Sequence, residues 1–163
     1  MICAIVAVDK DWGIGYHGEL LERIPEDLKN FKRLTSGHTV VMGSKTWYSL
    51  PRKPLPNRTN IIISRKGNSI LEKNVIRMDL DTFLCGEGKY EDDIFVIGGG
   101  EIYKQLLPYC DKAYVTKIRK AHDNIDTYFP NLDENNQWVL ANGSKIYTYD
   151  NIPYQFCEYI RKS

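Results

Sequence analysis

The sequence has no excess of either charge. It contains 22 Lys and Arg against 21 Asp and Glu, a net charge of +1 over 163 residues. A chain so nearly neutral gives no electrostatic reason to expect nucleic acid or an acidic membrane as a partner. Long hydrophobic runs are missing too. The apolar residues 1–8 are followed at once by Asp9-Lys10-Asp11, so we expect a buried strand there rather than a signal or membrane-spanning segment.

Patterns for metals and disulfides are also missing. The four cysteines form no C-x-x-C pair, and the three histidines share no ligand spacing. This argues against a metal site and predicts reduced thiols in a cytoplasmic protein. No repeat, low-complexity tract or linker divides the chain. Its 42% hydrophobic and 26% charged residues are typical of one soluble globular domain.

The chain does contain short apolar runs that alternate with helical segments. Strands are expected at eight places, which are 2–8, 39–42, 60–64, 74–78, 94–97, 112–119, 138–140 and 154–160. Helices are expected over 24–34, after Gly43, over 80–84 and after the glycines at 98–100. The last two strands should form an antiparallel pair. This order predicts an α/β fold, in which ligands bind beyond the carboxyl ends of parallel strands.

The predicted helix over 24–34 carries an acidic residue among apolar ones. Pro25 suits the first helical position. The apolar positions recur at helical spacing and are Ile24, Leu28, Phe31 and Leu34. Asp27 falls on their side of the helix, where its carboxylate is partly removed from water. It is either a first-turn acid that favours the helix dipole or a carboxylate that binds a cationic or N–H-rich ligand.

Two glycine-rich segments leave similar alternatives open. Residues 9–19 contain three glycines and no periodicity, so we expect little structure there and either a lid over a ligand or a plain surface connection. Gly98, Gly99 and Gly100 join a strand to a helix without a G-x-G-x-x-G pattern. They either let a ligand approach the backbone or form a tight crossover.

Basic residues follow two successive strands. Gly43-Ser44-Lys45-Thr46 is not a P-loop, because His38 stands where the motif needs its first glycine. Its hydroxyls and lysine either hold a phosphate or only cap the helix. The strand over 60–64 ends in Ser64 and Arg65-Lys66, and the proline-rich loop over 51–58 carries more basic residues. Basic clusters at neighbouring strand ends predict one anionic ligand.

Together these segments resemble the dihydrofolate reductase family along nearly the whole chain. They are Ala7-Val8-Asp9, Gly13-Ile14-Gly15, and residues 24–32, 41–47, 54–60, 96–103 and 126–130. Each alone is a modest signal, but their order and spacing are specific. The resemblance implies a three-layer α/β fold. Its mixed eight-stranded sheet would be mostly parallel, with an antiparallel C-terminal strand, and flanked by four helices. One domain would span residues 1–163, with an adenosine-binding subdomain at about 38–88.

The resemblance also implies an activity. NADPH would transfer a hydride to 7,8-dihydrofolate, giving tetrahydrofolate for one-carbon metabolism and thymidylate synthesis. Asp27 matches the family's pocket carboxylate, which binds the 2-amino group and a ring N–H of the pterin. It would raise the proton affinity of pterin N5 electrostatically, and burial would raise its own pKa. A cytoplasmic monomer is expected.

Two sets of binding residues follow from the resemblance. The substrate set is Ile5, Asp27, Leu28, Phe31, Leu50, Arg52, Arg58, Ile97 and Thr116. Arg58, helped by Arg52, would pair with the glutamate carboxylate of the substrate, and Thr116 would hydrogen-bond Asp27. The cofactor set is Ala7, Ile14, Gly15, Leu20, Gly43, Lys45, Thr46, Ser64, Arg65, Gly98, Gly99, Gly100, Glu101, Ile102 and Tyr103. Within it, Lys45, Thr46, Ser64 and Arg65, together with Lys66, would hold the adenosine phosphates.

The chain departs from the family pattern at two places. Leu21-Glu22 replaces the usual Pro-Trp, which brings a second carboxylate toward Asp27. Ser44 stands where the family often has arginine, which leaves Lys45 and Arg65 to bind the 2′-phosphate. One alternative is a reductase of similar fold that acts on another pterin or a pyrimidine-like substrate; without a glutamate tail, such a substrate would not need Arg58. Another is a nucleotide-binding module that has lost catalysis, for which Glu22 is the suspect residue.

Overall fold

The computed structural model describes residues 1–86 and 92–163. The helices are α1 (Pro25–Thr35), α2 (Ser44–Ser49), α3 (Leu80–Cys85) and α4 (Gly100–Leu106). The strands are β1 (Ile2–Val8), β2 (Gly13–Tyr16), β3 (Glu19–Leu20), β4 (Thr39–Gly43), β5 (Thr59–Ile63), β6 (Ser69–Glu72), β7 (Val75–Met78), β8 (Ile94–Gly98), β9 (Lys112–Ile118), β10 (Thr127–Tyr128), β11 (Trp138–Gly143), β12 (Tyr147–Tyr149) and β13 (Ile152–Arg161). The sequence also predicts a polar loop over 87–93, of which residues 87–91 lie outside the described ranges.

A mixed sheet runs through the middle of the molecule in the order β11-β13-β9-β1-β8-β4-β5-β7-β6, with β12 paired to β13. Its central strands are parallel, from β9 through β7. The C-terminal strands β11, β12 and β13 are antiparallel, as is β6 at the other edge. This confirms the predicted fold class. In the described ranges, no helix is long and apolar enough to cross a membrane.

The described sheet has ten strands where eight were expected. The eight predicted strands are all present, and β6 and β12 are added to them. Both added strands are short and exposed along their whole length, so neither has the buried face that marks a half-buried strand. β12 joins β13 through Asp150 and Asn151, which both have positive φ, as a tight hairpin turn requires.

The two faces of β1 pack against different helices, because side chains alternate along a strand. Ile2, Ala4, Val6 and Val8 lie in one core cluster with residues of α3 and α4. Cys3 and Ile5 face the other way, toward a second cluster that includes Leu34 of α1 and Trp47 of α2. The result is three layers. On the α1 face, Ile5 and Ala7 are only half-buried, so the layer of helices does not close over them.

The expectation of little structure over residues 9–19 was wrong. β2 and β3 form a hairpin, and β10 pairs with β2 to give a separate three-stranded sheet. The turn contains His17 and Gly18, both with positive φ. The glycines that form part of β2 have no side chain to show an alternating pattern, so the sequence hid this hairpin. Residues 9–22 are called the lid below.

Candidate functional site

α1 carries an apolar stripe that the protein core does not bury. Thr35 is its one fully buried residue. Leu28 is 45% exposed, whereas Phe31 and Leu34 are half-buried. Ile24, just before the helix, does enter the core, beside Ile118 and Tyr154. An amphipathic helix with its apolar face left partly open has surface available for a ligand.

Asp27 lies in the first turn of α1 and is held by one hydroxyl. The Oγ1 atom of Thr116 donates a hydrogen bond of 2.5 Å to Oδ1 of Asp27. Thr116 is 4% exposed and pairs with Ala7 across β9 and β1. Burial raises the pKa of Asp27 above its ordinary value, and the hydrogen bond from Thr116 opposes that rise. This confirms the predicted direction. Among the described residues, no donor bonds to Oδ2.

The open face of β1 lies close to Asp27. The hydroxyl of Tyr103 donates a 2.7 Å hydrogen bond to the carbonyl oxygen of Ile5. Burial, and then the charge of Asp27, raise the pKa of Tyr103, which places the two side chains within electrostatic reach. The pairing of Ala4 with Val96 puts Ile5 beside Ile97. We give the name Asp27 cleft to the region between α1 and the open face of β1; the side chains predicted to line it are Ile5, Asp27, Leu28, Phe31, Leu50, Ile97 and Thr116.

Arg58 is a buried cation beside this cleft. Its side chain donates to the carbonyl oxygen of Pro56 at 2.8 Å and to Oγ1 of Thr35 at 3.0 Å. Its guanidinium also lies 5.9 Å from the centre of the Phe31 ring. Arg58 is 7% exposed, and burial lowers its pKa. It has no carboxylate partner in residues 1–86 and 92–163, so it is suited to an anionic group. Arg52, by contrast, is exposed.

The triple glycine brings three backbone segments together. The Gly98–Gly99 peptide bond is cis. A Cβ atom on Gly100 would lie 2.6 Å from Cγ2 of Thr127, which pairs with Gly15 of the lid. A Cβ on Gly99 would lie 3.3 Å from Oγ1 of Thr46 in α2. A side chain at Gly100 would therefore clash with Thr127 of β10, and one at Gly99 would crowd Thr46 of α2.

A small cavity at the ends of β4 and β5 collects hydroxyls and cations. It has a volume of about 80 Å³. We call it the Arg77 pocket; its lining residues are Ser44, Trp47, Tyr48, Ile62, Ser64, Lys66 and Arg77. The two serine hydroxyls, with the ammonium of Lys66 and the guanidinium of Arg77, form a donor set that suits a phosphate. Lys45 and Arg65, which were predicted to bind phosphate, are exposed and do not line it.

Comparisons with known proteins agree with this geometry. A sequence model of the dihydrofolate reductase family matches residues 1–161. The dihydrofolate reductase of Bacillus subtilis is 37% identical over 158 residues, covering 96% of this chain and 90% of that protein. That of Buchnera aphidicola subsp. Schizaphis graminum is 36% identical over 156 residues, covering 96% and 95%. The chain belongs to the dihydrofolate reductase family.

A solved structure of the family extends the likeness to three dimensions. Dihydrofolate reductase from Enterococcus faecalis, complexed with NADP(H), matches with a TM-score of 0.87 at 32% identity, covering 100% of this chain and 97% of that one. NADPH is the cofactor of the family, and the residues described here fit it. The Arg77 pocket supplies donors for a phosphate, and the glycines at 98–100 leave backbone without side chains beside the lid.

Arg77 is a candidate that sequence reasoning missed. It lies on β7, where the register places it opposite Ile62 of β5, two residues before Ser64. In the sequence it looks like an ordinary polar position in a short strand. The pairing of β7 with β5 brings Arg77 to the end of β5. Its role could therefore have been predicted only from the order of the strands in the sheet.

Glu22 does not act on Asp27 as the sequence suggested. Its Oε1 atom accepts a 2.7 Å hydrogen bond from Nζ of Lys120 and lies 3.0 Å from Nε2 of His122. The raised pKa of Asp27 comes from burial, not from a second carboxylate. The substitution at the end of the lid therefore leaves the carboxylate of the cleft undisturbed.

The other predicted cofactor residues divide by burial. Leu20 is 50% exposed on β3, and Glu101 is exposed at the start of α4. Three of them are buried: Ile14 of the lid, and Ile102 and Tyr103 of α4. All three side chains belong to the same core cluster. Ile102 also sits against Gly43, where a Cβ would approach its Cγ1 atom to 2.9 Å.

Proposed function

We propose that the Asp27 cleft holds 7,8-dihydrofolate, with the carboxylate of Asp27 against the 2-amino group and a ring N–H of the pterin. The activity is that of the family: NADPH reduces 7,8-dihydrofolate to 5,6,7,8-tetrahydrofolate. The observation that supports this placement is a partly buried carboxylate with one hydroxyl partner and one oxygen that no donor of the described residues reaches. A carboxylate accepts hydrogen bonds at both oxygens, which suits two adjacent donors.

NADPH supplies the hydride. In our proposal the chain itself contributes position and charge. The negative charge of Asp27, in a region of reduced solvent access, raises the proton affinity of N5 of the bound pterin. A water molecule would carry the proton, because the carboxylate is occupied by the other edge of the ring. Thr116 keeps the carboxylate oriented through its hydrogen bond.

The remaining substrate contacts are proposed from their positions. Ile5, Leu28, Phe31, Leu50 and Ile97 would provide apolar walls. Arg58 would pair with the glutamate carboxylate, because its guanidinium is buried and its bonds to Pro56 and Thr35 fix it in place. Arg52 would contribute more weakly, since an exposed ion pair is screened by solvent.

For the cofactor we propose two contact regions. The lid, with Ala7, Ile14, Gly15 and Leu20, would lie against the nicotinamide half, next to the glycines at 98–100. The Arg77 pocket would hold the 2′-phosphate through Ser44, Ser64, Lys66 and Arg77. Lys45, Thr46 and Arg65 would face the remaining adenosine phosphates. The sequence-based proposal is thereby changed at one point, since Arg77 takes the role first given to Arg65.

We also propose that the protein acts as a cytoplasmic monomer with one domain over residues 1–163. Residues 38–88 would form its adenosine-binding subdomain, although residues 87 and 88 lie outside the described ranges. The nearly neutral net charge of +1 supports small molecules as its partners rather than nucleic acid or membrane.

The experiment that tests the proposal follows oxidation of NADPH by its absorbance after addition of 7,8-dihydrofolate, with NADH measured in parallel. We expect turnover with NADPH and clearly weaker binding of NADH, because NADH lacks the phosphate that the Arg77 pocket fits. Stable NADPH absorbance in the presence of dihydrofolate would contradict the proposed function. Equal affinity for the two cofactors would contradict only the role of the Arg77 pocket.

A further inference from the structure

The two ends of the lid meet at one histidine side chain. Asp9, at the start of the lid, is completely buried at its side chain. Its Oδ1 atom accepts hydrogen bonds from the backbone N–H groups of Asp11 and Gly13, at 2.9 and 2.8 Å. Its Oδ2 atom lies 3.0 Å from Nδ1 of His122 and also accepts from the backbone N–H of His122 at 3.2 Å.

The other ring nitrogen of His122 reaches the end of the lid. Nε2 lies 3.0 Å from Oε1 of Glu22, and Lys120 donates to the same oxygen. The charged groups that face the ring are thus Asp9 at the end of β1 and Glu22 at the end of the lid. Lys120, from the same loop as His122, faces the ring through Glu22. The side chain of His122 is only 13% exposed, so solvent does not separate these groups.

We propose that His122 and Glu22 are positioning residues that close the lid, and that the closure requires both ring nitrogens of His122 to carry a proton. A neutral imidazole has one N–H and one lone pair. Each ring nitrogen here faces a carboxylate oxygen, and an ionised carboxylate only accepts hydrogen bonds. The hydrogen bond from Lys120, and then that from His122, lower the pKa of Glu22, so Glu22 stays ionised.

Loss of one proton affects the two ends of the lid differently. Besides its contact with the ring, the carboxylate of Asp9 accepts three hydrogen bonds in the described structure. Two come from backbone N–H groups in its own turn and one from the backbone N–H of His122. Glu22 has only Lys120 besides the ring among the described residues. A neutral ring that keeps its proton on Nδ1 presents a lone pair to Glu22. The end of the lid, from Leu20 to Arg23, therefore loosens as the pH rises, directly before the helix that carries Asp27.

The middle of the lid is held separately. Oδ2 of Asp126 accepts a 2.9 Å hydrogen bond from the backbone N–H of His17, and the N–H of Asp126 donates to the carbonyl oxygen of Gly15 at 3.1 Å. Neither contact involves a group that changes its protonation near neutral pH. Raising the pH should therefore release the Glu22 end of the lid and leave β2 paired with β10.

The experiment is amide hydrogen exchange of the protein without ligands, from about pH 6 to about pH 9, corrected for intrinsic exchange. In the unaltered chain, protection of residues 20–23 should fall by roughly threefold to tenfold across this range. Glu22→Gln should abolish most of that fall, because its amide can donate to the neutral ring. His122→Gln should also make protection independent of pH. The matched controls are Glu19→Gln and His17→Gln, a carboxylate and a histidine of the lid that do not face this ring; both should keep the dependence.

A second readout is the dissociation rate of NADPH over the same pH range, which rests on the proposed function. It should rise with pH in the unaltered chain and in the controls, but not in Glu22→Gln. If His122→Gln and Glu22→Gln keep the full pH dependence of exchange, the proposal is overturned. Failure to bind NADPH would overturn the proposed function instead, and the exchange data would still decide the role of His122.

Discussion

The Asp27 cleft and the Arg77 pocket differ in the sign of their charge and in its exposure to solvent. In the cleft a single carboxylate lies among apolar side chains, held by one hydroxyl, with its pKa raised by burial. In the Arg77 pocket the positive charge is divided between Lys66 and Arg77, beside the hydroxyls of Ser44 and Ser64, and Lys66 is exposed to solvent. Solvent and salt screen charges in the second region but act weakly on the first.

The difference predicts how each region responds to change. A single buried charge has no substitute nearby, so its removal should have a large effect that depends on pH and little on salt. Two cations that share one open pocket replace one another in part, so each removal should have a small effect that salt reduces. Substitutions at Asp27, Arg58 and Arg77 test this contrast, and the loss of turnover in Asp27→Asn should be the largest effect.

Asp27→Asn should lower turnover with dihydrofolate near neutral pH by roughly 100-fold, or about 2.7 kcal/mol. The asparagine keeps the shape but not the charge that raises the proton affinity of N5. NADPH should still bind, which serves as the control for folding. Full turnover by this variant at neutral pH would show that the charge is not needed.

The same variant should be more stable than the unaltered chain at neutral pH. The folded-state pKa of Asp27 is raised, so the buried carboxylate costs stability as the pH rises through that value. Asparagine removes this cost, by about 1 kcal/mol at neutral pH. The gain should disappear below the ordinary aspartate pKa of 3.8. Urea unfolding at several pH values measures it, and a gain that persists in acid would have another cause.

Arg58→Lys should raise the KM for dihydrofolate roughly tenfold, about 1.4 kcal/mol, with a smaller change in turnover. Lysine keeps the charge but cannot make the paired hydrogen bonds of a guanidinium. Arg52→Ala is the matched comparison in the same loop and should change KM less, because Arg52 is exposed. The reverse ranking of these variants would assign the glutamate contact to Arg52.

Arg77→Ala should weaken NADPH binding roughly threefold to tenfold at low salt, about 1 kcal/mol, and leave NADH binding unchanged. The loss should shrink at high salt because the contact is screened. Arg65→Ala is the comparison, since Arg65 is exposed and does not line the pocket. If Arg65→Ala changes the preference for NADPH more than Arg77→Ala does, the sequence-based assignment was the better one.

The sequence revealed what local chemistry determines. Pro25 and the apolar spacing predicted α1 and the place of Asp27 on it, and the eight predicted strands followed from apolar runs. Features that depend on pairing between distant segments stayed hidden. β6 and β12 have no buried face, β2 is rich in glycine, and Arg77 reaches the cofactor region only through the register of β7 on β5. The contacts of Glu22 with Lys120 and His122 were hidden for the same reason.

We propose above all that the fold holds Asp27 as a partly buried carboxylate in the orientation that binds the pterin. NMR titration of the labelled carboxyl carbon of Asp27, assigned by comparison with Asp27→Asn, tests this most directly. We expect a pKa above the ordinary 3.8 in the free protein, and no titration of that carbon in the same range once folate is bound. A pKa at or below 3.8, unchanged by folate, would contradict it.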